Sequence, residues 1–376
     1  ATSVLHGETT LLGSSAEATS VPLPGGAVLT DLSKAFVRLS VSCGTLGAGP
    51  RSLHVAASLE SDKVILHRHS TNLVPITVRF AVIVFAWNSG VHVQRNVTRL
   101  RGTTNIDVRD YAGAAATFSS DSAFVIIRVV HSGMTVGNDD FYSARLGTAP
   151  WTIRIGVEAA NTAVDVYWQL VSMGSDNARV QHMWDDTSFQ TSRRFVNLQV
   201  PQPFDESRTW LYLTYSSSER GPSNNQFDVR PRNGGSSVRV DREATTVGPA
   251  ALALQVIEFL RGVTISVDTF FLDNNDNDNQ RTITTPAVGE PDALNVFASS
   301  SASLFGTRCA YDGGFDSDDV VPALVTISAT VQGGATSVAV RRGANGGALT
   351  VTVYTMVFEL FTTSTTAAAT AAAATT

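Results

Sequence analysis

Lysine is almost missing from this 376-residue chain. Lys34 and Lys63 are the only two, and arginine supplies the rest of the 27 basic residues. Cysteine is as scarce: Cys43 and Cys309 stand alone and far apart, which excludes a disulfide-rich scaffold and any cysteine-spaced metal motif. Charged residues make up 16% of the chain, below the usual quarter. The net charge is −6 and no basic block exceeds Arg341-Arg342, so the clustered cations of a nucleic-acid partner are not expected. The longest apolar run, FAVIVFAW over 80–87, falls far short of the roughly 20 residues that cross a bilayer, and no membrane insertion is expected. The opening residues ATSVLHGETT carry neither a charged nor an apolar leader segment, so no signal peptide is expected there. Phosphate-loop, zinc-protease and serine-hydrolase motifs are all missing, which points away from an enzyme.

What is present is strand-forming sequence. Apolar residues reach 43%, enough for substantial cores, and they alternate with polar ones. In TVRFAVIVF, Val78, Phe80, Val82 and Val84 share one face; in WTIRIGVE, Ile153, Ile155 and Val157 do. That period of two belongs to half-buried strands. Turn residues cluster between the runs, as in SSERGPSNNQ and RPRNGGSS. The stretch ALALQVIEFL at 251–260 is apolar on both faces, which predicts a central strand with both sides covered.

The runs recur at fixed intervals, the signature of internal repetition. Phe85, Met173 and Phe259 each follow an aromatic residue, Phe36, Phe124 and Trp210, by 49 residues; Leu360 follows Phe305 by 55. A third anchor precedes each aromatic: Val4, Val93, Val180 and Val267. The pattern predicts an all-β chain of four tandem β-sandwich modules with little or no helix: 1–88, 89–174, 175–261 and 262–362. The fourth is lengthened around DNNDNDNQ, and an Ala/Thr-rich tail follows at 363–376. Modules of this size bury one face of each of two packed sheets. The linkers between them are short, which favours a stiff rod or a compact stack.

Few residues suggest chemistry. Asp273, Asn275 and Asn277 repeat the alternate-oxygen spacing of a calcium loop, although Asp278 stands where such loops carry glycine and Glu290 lies too far on for the closing ligand. A structural calcium ion at these three residues is the one cofactor the sequence suggests. Asp318 and Asp319 are a weaker candidate for the same role. His67 and His69 share a strand face, read as solvated rather than metal-bound. Trp87, Trp151 and Trp184 could stack on sugars, but the core or interface placement is the expected one. The tail has little apolar bulk, and ordering it costs on the order of 1 kcal/mol per residue. Thr363, Ala367 and Thr376 are therefore expected to lie against another subunit.

The recurring elements resemble modules of tailed-bacteriophage virion proteins. They are the pairs Val93-Gln94 and Val180-Gln181, the strand openings Phe36-Val37 and Phe124-Val125, and a closing W-Q-[VL]-V-E-F strand. The closing strand is divided here between Trp168-Gln169-Leu170-Val171 and Gln255-Val256-Ile257-Glu258-Phe259. The resemblance spans 1–362 through short apolar motifs, and the fourth copy departs from it at Gly306-Thr307. It implies a non-enzymatic structural or appendage protein of the virion, at the capsid surface, tail or fibre. Such a protein assembles as a homo-oligomer with other virion proteins and brings no catalytic residues. The alternative expectation is a carbohydrate-binding adhesin or a bacterial surface filament, with a host surface glycan as partner.

Overall fold

The computed structural model describes residues 3–12, 17–42, 54–69, 75–101, 103–108, 118–131, 142–147, 152–157, 163–189, 195–217, 227–242, 249–272, 280–284, 295–300, 328–332, 337–341 and 349–358. These residues are nearly all strand, interrupted by single 3-10 turns. The strands fall into four successive sets of six. The first holds β1 (Ser3–Leu11), β2 (Ala18–Pro22), β3 (Ala35–Ser42), β4 (Ala56–Leu59), β5 (Lys63–His67) and β6 (Ile76–Val84). The second holds β7 (His92–Leu100), β8 (Thr104–Asp107), β9 (Ala123–Val130), β10 (Tyr142–Leu146), β11 (Thr152–Val157) and β12 (Val164–Ser172). The third holds β13 (Ala178–Phe189), β14 (Phe195–Gln199), β15 (Thr209–Ser217), β16 (Phe227–Arg232), β17 (Ser237–Arg242) and β18 (Ala250–Phe259). The fourth holds β19 (Val263–Leu272), β20 (Gln280–Thr284), β21 (Asn295–Ser300), β22 (Ser328–Gln332), β23 (Ser337–Arg341) and β24 (Leu349–Phe358).

One connectivity serves all four sets. The first, sixth and third strands make one antiparallel sheet, and the second, fifth and fourth make another. The sixth strand is always central, which explains its sequence. β18 pairs with β13 on one side and β15 on the other, and Leu252 to Phe259 are buried without interruption. ALALQVIEFL is thus the central strand that its two apolar faces predict.

Those two faces meet different partners. In the first set, Val37, Val78, Phe80 and Val82 pack against Val64 and Leu66 of the companion sheet. The alternate residues Phe36, Ile83 and Phe85 turn the other way, into a core shared with the remaining sets. The second set repeats the division. Val125, Ile127 and Trp168 join Tyr142, Ile153 and Ile155, while Phe124, Ile126 and Met173 enter the shared core. We call the three-stranded sheet with both faces covered the inner sheet of its set, and its companion the outer sheet.

Aromatic rings link the sets through that core. Phe36 meets Phe124 edge-on at 6.1 Å between ring centroids, and Phe124 meets Trp210 at 5.9 Å. Phe259 meets Phe358, and Phe358 meets Phe85, each at 6.2 Å. Edge-to-face pairs add about 0.5–1.5 kcal/mol apiece beyond area burial. The last contact joins the fourth set to the first, and β1 also lies against β21 and β3 against β22. The sets therefore close on one another around a common centre instead of extending as a rod.

The register corrects the reading of the fourth repeat. Val4, Val93 and Val180 pair with Ile83, Val171 and Ile257. The matching pair in the fourth set is Ile265 with Met356, so the anchor is Ile265 and not Val267. Phe36, Phe124 and Trp210 pair with the same three central residues, and Phe297 takes that place opposite Met356. Phe358, not Leu360, then matches Phe85, Met173 and Phe259. Phe305 and Leu360 lie outside the described residues. The distance from Ile265 to Phe297 is 32 residues, the same as from Val4 to Phe36. The extra length falls after Phe297, not around DNNDNDNQ.

Candidate functional site

The third strand of each set is an edge strand of its inner sheet. Every second residue on such an edge presents a backbone N–H and C=O with no strand to receive them, and leaving them buried and unpaired is costly. On β3 and β9, side chains from the following set close this edge. Across the edge of β3, Gln169 accepts from Val37 N (2.8 Å) and donates to Val37 O (2.8 Å). Arg95 donates to Leu32 O at 2.6 Å and also to Ala35 O, and Arg128 donates to Leu39 O at 2.6 Å. The edge of β9 is closed in the same way by the third set. Gln255 accepts from Val125 N (2.8 Å) and donates to Val125 O (2.7 Å), and both Gln255 and its target are buried. His182 Nε2 sits 3.2 Å from Ser120 O and 2.9 Å from Ala123 O. Gln169 and Gln255 hold one position of the repeat, and Arg95 and His182 hold another. In the fourth set Tyr354 stands at the glutamine position, and its hydroxyl donates to Val229 O at 2.8 Å. Burial pushes that hydroxyl well above its ordinary pKa. In the first set the position belongs to Ala81.

Arginine does unusual service in the interior. The Arg38 guanidinium lies 5.0 Å from the Trp210 ring centroid and 5.1 Å from that of Tyr212, so the first set reaches the third directly. Burial lowers the Arg38 pKa, against the pull of the nearby Tyr212. Arg128 is pushed down to about 10 by burial and by the Arg38 cation. A planar guanidinium suits both places, since it stacks on rings and forks toward carbonyls in a way an ammonium cannot. Glu258, the acidic member of the closing motif, is buried and bound by Arg179 at 2.5 Å; its other oxygen accepts from Asp205 N at 3.0 Å.

The residues suggested for chemistry fare differently. Asp273, Asn275 and Asn277 lie outside the described residues, as do Asp318, Asp319, Trp151, both cysteines and Thr363, Ala367 and Thr376 of the tail. Among the described residues no group of three or more His, Cys, Asp or Glu side chains comes together as a metal site. No helix among them is long and apolar enough to cross a membrane. His67 corrects the solvated-face reading: its Nε2 is 2.7 Å from Ser58 Oγ, and its ring stacks on Tyr167 of the second set at 4.7 Å. Trp184 is half-buried beneath the Arg145 guanidinium at 4.1 Å, an interface placement as expected. Trp87 contradicts that expectation. It is 81% exposed, in the turn between β6 and β7.

Comparison of the chain with protein-family models, with curated proteins and with solved structures gave no match.

Proposed function

We propose that the protein is a non-enzymatic structural subunit of a virion, made of four tandem copies of one β-sandwich module with boundaries near residues 88, 174 and 261. The observation that carries this reading is the use of polar side chains at its seams. Gln169, Gln255, Arg95, Arg128 and His182 hold the backbone of the preceding set, which favours a stiff body that keeps its shape under load. The resemblance of the repeated motifs to bacteriophage virion modules supports the same class, with copies of the chain and other virion proteins as partners. Sedimentation of the full chain is expected to show a defined oligomer, and deletion of 363–376 to weaken it while the strand sets stay folded. A full chain that remains monomeric at high concentration contradicts the proposal.

Trp87 favours a second reading, a carbohydrate-binding adhesin. An exposed indole in a turn rich in Asn and Ser offers a stacking platform for a sugar ring. A glycan-array signal from the full chain that disappears in Trp87→Ala, with unchanged sedimentation, supports this reading. Equal signals from both proteins, or none, remove it.

A further inference from the structure

We propose that the seam between the second and third strand sets is a proton-operated latch, in which neutral His182 holds the turn at Ser120–Ala123 and protonation releases it. The geometry fixes the neutral form. Nε2 faces two carbonyl oxygens, Ser120 O and Ala123 O, so it must carry a proton and donate. Nδ1 is buried and has no hydrogen-bond partner among the described residues. It serves there as a bare acceptor. A second proton would put an unsatisfied N–H and a full charge into that enclosure, at the cost that buried unpaired donors carry.

The surrounding charges do little to compensate. From the 3-10 turn packed against it, the one carboxylate acting on His182 is Asp121. Its register partner on β18 is the neutral Gln255. β9 contributes Ala123 and, five residues further on, Arg128, which turns to Leu39 O in the first set. On β13 itself, Arg179 is paired with Glu258, and Asp185 is bound to Thr187 and Ser188. Burial is the larger influence and lowers the imidazole pKa, against the pull of the two carbonyls and Asp121. An unfolded histidine therefore holds its proton more tightly than this folded one. The seam keeps its full stability above about pH 6.5, the unfolded value, and loses it as the pH falls below.

The neighbouring seam is the same device with the switch removed. Arg95 replaces His182 and contacts the equivalent carbonyls, Leu32 O and Ala35 O. The residue capping the turn there is Asp31, whose carboxylate favours the Arg95 cation; in the switched seam that cap is Ser119. A permanent cation with a carboxylate at the cap makes the Arg95 contact itself indifferent to mild acid. Histidine with a serine cap makes the other responsive.

Hydrogen exchange of the full chain at pH 7.5 and 5.0, corrected for intrinsic rates, tests the latch. Residues 119–124 and 178–184 should exchange several-fold faster at pH 5.0, below the ordinary histidine range. That rise should vanish in His182→Gln, which keeps a donor but cannot be protonated, and in Ser119→Asp/His182→Arg, which copies the neighbouring seam. No rise in the wild type, or a rise spread evenly over the chain, overturns the proposal without recourse to any variant. So does a rise that persists in either variant.

Discussion

Gln169 and Gln255 show how much depends on one side chain. Each exchanges two hydrogen bonds with a single backbone residue more than a hundred positions earlier. Replacing either with alanine leaves a buried N–H and C=O on an edge strand without partners, at about 1–3 kcal/mol for each orphaned group. Chemical denaturation should show Gln255→Ala losing at least that much, with Gln169→Ala the milder of the two because its site is less completely buried. Glutamate at 255 should cost more than alanine, since it brings a charge and removes the donor to Val125 O. Both glutamines stand inside the closing motif that the sequence shows. Their role was not legible there, because the partner is a backbone group, and backbone groups leave no mark on the residue type at Val37 or Val125.

At the scale of the element, alternation revealed the strands and the central place of β18, but it could not fix register in the fourth repeat. A slip of two residues returns every side chain to the same face of the sheet. Val267 therefore fits the hydrophobic pattern as well as Ile265, and Leu360 as well as Phe358; only the ladder distinguishes them. Phe305 misleads in the same way, eight residues past Phe297. The register also yields a prediction at the closing seam, where β1 lies against β21. The glutamine position there holds Ala81, and the residue corresponding to Val37 and Val125 is Ala298, opposite Thr355. Ala81→Gln should add a pair of hydrogen bonds to Ala298 like those at Val37 and Val125 and raise stability by about 1 kcal/mol. A midpoint of denaturation unchanged or lowered in this variant would show that the fourth seam is built differently from the first two.

For the whole molecule, the shared core matters more than the repetition. Side chains of all four sets enter it, from Phe36 in the first to Phe358 in the fourth. An inner sheet removed from its neighbours would expose one of its two apolar faces and an open edge. Calorimetry should accordingly record one unfolding transition whose calorimetric and van't Hoff enthalpies agree; separate transitions for separate sets would contradict a common core. The sequence made the repetition legible through its spacings. It could not show closure into a ring, because short linkers suit a rod equally well.

The ladders also give the molecule a direction. β6, β12 and β18 each run into the next set's first strand through a short described turn, 85–91, 173–177 and 260–262. The third strands start at this same end, Ala35 opposite Val84 and Asn295 opposite Phe358. β21 must leave from the opposite end, at Ser300, and there the fourth repeat takes up its surplus length. The joins at this end stay within seven residues, whereas the surplus of the fourth repeat lies in sequence between Ser300 and Ser328. A peptide epitope grafted between β21 and β22 should be carried as cargo by an otherwise unaltered body.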